Sequence, residues 1–235
     1  MNTKFLSALT ATAAATALFG APAPAQAASF GTGGISFAQT TEIMFTFGET
    51  HGQYQSSLGI YEVNQQGNRS IPSLVKSLFS ETKRSDNGAA NEYRGTLGNT
   101  VLGPGKVSFT FLANKIYTLG LDSGGYNSLV FSTSALNRGS SQQAVFGDLS
   151  LGNALNLDTT SRFQAAGQYT NGLPALFNGG ALISFDDRGN NNDKDFQDFT
   201  VTAEAVPEPM TMTGLALGLG GLVAARRRRG SNTAS

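Results

Sequence analysis

Between Ser29 and Ala205 the apolar residues alternate with polar ones instead of recurring at helical spacing, and that two-residue period restricts the chain largely to strands. Lys106 to Leu112 reads KVSFTFL, which sends Val107, Phe109 and Phe111 to one face and Ser108 and Thr110 to the other. A half-buried strand is expected there. The same pattern predicts strands at Ile35–Ala38, Glu42–Phe47, Leu58–Val63, Lys115–Leu121, Leu129–Ser132, Ala144–Phe146, Ala181–Phe185 and Phe199–Glu204. Short strands parted by Gly, Asn and Ser turns favour an all-β fold, mainly an antiparallel β-sandwich, filling residues 29–205 as one domain. One stretch departs from the alternation. Ile71, Leu74, Val75, Leu78 and Phe79 fit i, i+3, i+4, i+7, i+8, with Ser70 as a cap and Pro72 in the first turn. That spacing predicts a single short helix over 70–81, and Asp86 to Asn99 reads as a polar surface loop.

The charges narrow the function. The chain of 235 residues balances 16 Lys+Arg against 16 Asp+Glu, but Lys4 and Arg226 to Arg229 lie in the ends, so the middle is acidic. No Lys/Arg cluster stands there to displace phosphate counterions, which argues against a nucleic-acid partner. With no cysteine there are no disulfides, thiolate zinc sites or cysteine nucleophiles, and one histidine rules out any site needing two imidazoles.

Residues 1–28 have the build of a secretory signal peptide: a positive start at Lys4, an uncharged apolar run from Phe5 to Phe19, and small residues at Ala25, Ala27 and Ala28 for signal peptidase. This implies export through the Sec translocon, with a mature chain starting at Ala28 or Ser29. At the other end, residues 206–235 run from Val206 through Pro207, Glu208 and Pro209 to an apolar stretch over 210–225, then Arg226, Arg227, Arg228 and Arg229. Sixteen residues of helix span about 24 Å against a hydrocarbon core of about 30 Å, a gap that snorkelling arginines close. The arginines favour the cytoplasmic side, so the domain faces outward from the inner membrane. A permanent tail anchor is the plainer reading of these features and is kept beside any other.

The order Pro207-Glu208-Pro209, an apolar helix containing Gly218-Leu219-Gly220-Gly221-Leu222, and a terminal arginine cluster resembles the PEP-CTERM sorting signal of Gram-negative and cyanobacterial proteins. The resemblance implies that an exosortase, a membrane-embedded transpeptidase-like cysteine enzyme, recognises Pro207-Glu208-Pro209 and cuts near it. The domain would then reach the cell surface or the extracellular matrix. The prolines hold the preceding backbone extended, which suits access by an enzyme.

The densest chemistry lies between the last two expected strands. Asp186, Asp187, Asp193, Asp195 and Asp198 fall between Phe185 and Phe199, offset only by Arg188 and Lys194. Each close carboxylate pair costs on the order of 1 kcal/mol in water and more where solvent is excluded. Aspartate carboxylates, Asn190 to Asn192 side chains and backbone carbonyls are hard oxygen donors that suit Ca²⁺. The loop does not match an EF-hand: counted from Asp193, Asp198 takes the position of the invariant glycine. Two other readings stand beside calcium, a solvated acidic turn and a catalytic carboxylate pair such as Asp186 with Asp195 in a glycosidase.

Phe185-Asp186-Asp187, an Asn-rich gap and Asp193-Lys194-Asp195-Phe196-Gln197-Asp198-Phe199 are similar to the C-terminal signature of an extracellular bacterial domain of unknown function that often carries PEP-CTERM tails. Leu58-Gly59-Ile60-Tyr61-Glu62 and Tyr117-Thr118-Leu119-Gly120-Leu121 are similar to its earlier strands. That resemblance implies an extracellular β domain and no particular reaction.

The remaining motifs are weaker. His51 follows Glu49, but no G-x-S-x-G elbow flanks a serine. Gly103-Pro104-Gly105-Lys106 lacks the spacing of a phosphate loop and reads as a turn before a strand. Tyr54, Tyr61, Tyr93 and Tyr126 are candidates to stack on sugars, although tyrosine at a sheet edge more often packs. The expectation is therefore an exported, exosortase-processed surface or exopolysaccharide-matrix protein with a structural or adhesive, calcium-stabilised and non-enzymatic role. The alternative is a carbohydrate-binding module of the matrix, and less favoured still a matrix-acting hydrolase.

Overall fold

A computed structural model describes residues 28–86, 93–124, 128–155, 165–187 and 194–207. The leader and the apolar stretch 210–225 lie outside these residues, as do Asp193, Glu208, Pro209 and the terminal arginines. Eleven strands dominate the described chain: β1 (Ser29–Gly31), β2 (Gly34–Ser36), β3 (Thr41–Thr50), β4 (Ser57–Gln66), β5 (Arg69–Ser80), β6 (Lys106–Phe111), β7 (Tyr117–Asp122), β8 (Leu129–Phe131), β9 (Ala144–Asp148), β10 (Ala181–Phe185) and β11 (Phe199–Ala205). Two short helices, α1 (Leu151–Leu155) and α2 (Leu173–Leu176), lie between β9 and β10.

The strands form two antiparallel sheets. One runs β1-β2-β7-β4-β5 with β8 added on β7, and the other runs β6-β3-β11-β10-β9. Their inner faces meet in one core, with Ile35, Leu58, Ile60 and Leu119 from the first sheet and Phe45, Phe111, Ile183 and Val201 from the second. This is the sandwich arrangement that alternating strands predict. Phe111 sits at its centre, edge-on to Phe37 at 5.6 Å and Tyr117 at 5.1 Å between ring centroids. On the outer face of the second sheet, Leu151 and Leu155 of α1 and Phe196 cover Val145 and Leu182. Strand β10 is consequently buried on both faces, which explains why ALISF hardly alternates.

The helix expected over 70–81 is instead β5, a strand at the sheet edge. It pairs with β4 from Gln66↔Arg69 to Ser57↔Ser80 across a turn in which Gly67 takes φ +60°. Two register shifts on this pair, between Leu58 and Gly59 and between Ile60 and Tyr61, leave Leu78 and Val75 as extra residues on β5. Each bulge sets two apolar residues side by side, Leu74 with Val75 and Leu78 with Phe79, and that doubling imitates helical spacing. Only Leu78 and Phe79 turn inward; Leu74 and Val75 are 53% and 44% exposed. Pro72, which has no N–H to donate, is tolerated because β5 is an edge.

The loop expected over Asp86–Asn99 is tied down at both described ends. Thr50 pairs with Gly95, and the Asp86 carboxylate accepts hydrogen bonds from the Thr96 hydroxyl at 2.6 Å and from the Thr100 hydroxyl.

One close approach yields a test. A Cβ added to Gly120 in β7 would lie 2.6 and 2.9 Å from the Tyr61 ring, which packs across β7 and edge-on to Phe131 at 5.5 Å. Gly120→Ala should displace that ring and lower stability in urea unfolding by about 1–2 kcal/mol. An unchanged midpoint would mean the ring moves aside without loss.

Register also fixes the polarity of the sandwich. Phe185, Phe199 and Thr50 lie side by side at one end, whereas Ala181 and Ala203 pair towards the other, where Ala205 pairs with Ile43. The seven residues of β11 separate the two ends by roughly 20 Å.

Candidate metal site

The site grows from the ladder between β10 and β11. After Phe185 the Asp186 N–H donates to the Gln143 carbonyl at 3.1 Å, and the Asp198 N–H donates to the Phe185 carbonyl at 3.0 Å. These bonds carry both chains past the strand ends with their side chains still inside the protein. The Asp187 N–H donates to the Asp198 carboxylate at 2.7 Å, and the Lys194 N–H donates to the Asp186 carboxylate at 3.3 Å. From the far side the His51 and Gly52 N–H groups donate to the Asp198 carbonyl at 3.2 and 3.3 Å, and the Ser123 hydroxyl donates to the Asp187 carbonyl at 3.3 Å.

The outcome is a buried group of three carboxylates. One oxygen each from Asp186, Asp187 and Asp198 lies within 4.8 Å of the others, and the residues are 0%, 3% and 7% exposed. Burial pushes the Asp198 carboxyl well above the usual range, and the neighbouring charges of Asp187, Asp195 and Asp186 add to the effect. Gly52 leaves the room these groups occupy: a Cβ there would stand 3.0 Å from Asp187 Oδ2 and 3.1 Å from Asp198 Cβ.

Three hard oxygen donors in this arrangement can bind a metal ion. Binding requires the carboxylates to be ionised, so it competes with the proton that burial favours on Asp198.

Of the five aspartates singled out in the sequence, Asp186, Asp187 and Asp198 come together. Asp195 is half-buried and stands outside the group, although its charge reaches Asp198; Asp193 lies outside the described residues. The burial of the three sets aside a solvated turn for them. His51 belongs to a different pairing, with its Nε2 3.7 Å from the Glu49 carboxylate, which Arg94 also holds at 3.2 Å. Gly103, at φ +120°, turns the chain ahead of β6 as its motif suggests.

Glu81 escapes the sequence reading. It closes β5, 4% exposed, and its carboxylate accepts the Thr50 hydroxyl at 2.5 Å and the Ser56 N–H at 2.7 Å. Burial pushes its carboxyl up to about 7 against those two hydrogen bonds, with Asp187 and Asp86 adding repulsion. The available signal was an acid directly after Leu78-Phe79-Ser80, which helical spacing places on a last turn instead of in a strand end.

The chain was compared with protein-family models, curated proteins and solved structures, and none of them matches it.

Proposed function

We propose that this chain is an exported structural or adhesive protein whose β-sandwich is clasped by Ca²⁺ at Asp186, Asp187 and Asp198. The observation that carries this reading is the set of three buried carboxylates joining the ends of β10 and β11. A cation there would offset their repulsion, and calcium suits an all-oxygen donor set better than softer metals do. Residues 1–28 support export, and 206–235 support tethering at the inner membrane followed by exosortase cleavage near Pro207-Glu208-Pro209. The product would reside at the cell surface or in the exopolysaccharide matrix, where it acts without catalysing a reaction.

Mass spectrometry of the surface-associated protein tests the processing. The mature form should begin at Ala28 or Ser29 and lack the peptides that follow the sorting motif. A surface form that still carries residues 210–225 would be a permanent anchor and would contradict exosortase release.

A further inference from the structure

At the end of the sandwich opposite the carboxylates, Ala205, Val206 and Pro207 form one wall of a cavity of about 500 Å³. Ala28, Phe37 and Phe177 supply other apolar parts of the lining, and Glu42 stands among them. The wall is fixed, because the Val206 N–H donates to the Glu42 carbonyl at 2.9 Å and extends the β11–β3 pairing beyond Ala205. Phe177, directly after α2, is 56% exposed beside it. An exposed aromatic ring beside an apolar concavity is a surface that an apolar partner can cover.

The residues that follow this wall in the sequence point to the partner. Only Glu208 and Pro209 separate Pro207 from the apolar stretch that begins at Met210. Even fully extended, that connection reaches about 10 Å. If 210–225 occupies a bilayer, the cavity mouth lies at the depth of the lipid headgroups. The buried carboxylates are then held roughly 20 Å further out.

We propose that this end of the sandwich is a membrane-contacting surface, with Phe177 and the cavity rim seated against a phospholipid bilayer while the chain is tethered. The proposal rests on reading 210–225 as the membrane anchor. Contact of this kind would orient the domain and hold its sorting motif at the bilayer surface.

The chain contains no tryptophan, so Phe177→Trp introduces a single fluorescent reporter at an exposed position. Leu102→Trp, at a residue 60% exposed next to the Glu81 end, provides a control. Each full-length variant is reconstituted into phosphatidylcholine vesicles with brominated acyl chains, and vesicle flotation is measured alongside fluorescence. The indole at position 177 should be quenched severalfold more than the one at position 102. Equal quenching in chains that float would overturn the contact while leaving the anchor intact. Chains that do not float would overturn the anchor, and the proposal with it. A blue-shifted but unquenched indole at 177, reverting on truncation after Pro207, would show the cavity covered by the chain's own tail and would also overturn the proposal.

Discussion

In chelator at about pH 8, Asp198→Asn should unfold at a higher temperature than the unaltered chain, and in saturating calcium at a lower one. The two signs have one cause. Without a cation, Asp198 is buried against Asp186, Asp187 and Asp195, and ionising it works against both burial and their charges. Asparagine keeps an oxygen to accept the Asp187 N–H while removing that charge. A relief of about 1–2 kcal/mol would raise the melting temperature by several degrees. With calcium present, the same change deletes a ligand charge, and affinity should fall at least about tenfold. Lowering the pH should shrink the gain seen in chelator, because the native aspartate then takes up the proton that the asparagine makes unnecessary. Thermal unfolding followed by circular dichroism reads all three conditions. Loss of stability to the same extent with and without calcium would mean that Asp198 is needed for packing and not for a metal.

Glu81 should give the fold a second, separate pH dependence. Its carboxyl titrates at about 7 in the folded protein against an ordinary 4.5. Between those values the folded state retains a proton that the unfolded chain has released. The stability from this group is therefore full below about pH 4.5 and is lost as the pH rises through about 7. The whole span amounts to about 3 kcal/mol. Glu81→Ala should abolish this slope. At pH 8, where that contribution is gone, it should still destabilise the domain by about 2–4 kcal/mol, since it strands the buried Ser56 N–H and the Thr50 hydroxyl. Urea unfolding at pH 5 and pH 8 separates the two effects, because the variant's loss should be larger at the lower pH. In the Asp198→Asn background, a Glu81→Ala chain whose stability still falls across this interval would place the titrating group elsewhere.

These two acids show how far the sequence could be read. Strands with clean alternation, such as KVSFTF in β6, were visible because one face is buried and the other wet. Strand β5 was hidden because its two bulges doubled the apolar positions, and such shifts depend on pairing with β4, which no local pattern reports. The carboxylate site was partly visible. The crowding of aspartates between Phe185 and Phe199 is plain in the sequence, yet which of them turn inward depends on the ladder bonds that Asp186 and Asp198 make. Gly52 and Ser123 reach the same site from segments distant in sequence, brought there by the packing of the two sheets.

The metal clasp is tested most directly by thermal unfolding of the purified chain in detergent, first in chelator and then across a calcium titration with magnesium as control. The melting temperature should climb with calcium along RT ln(1 + [L]/Kd), gaining about 2.7 kcal/mol at a hundredfold excess over Kd, and should respond far less to magnesium. Asp186→Asn combined with Asp198→Asn should flatten that climb. A melting temperature indifferent to calcium, or a climb that survives the double substitution, would contradict a calcium site at these three aspartates.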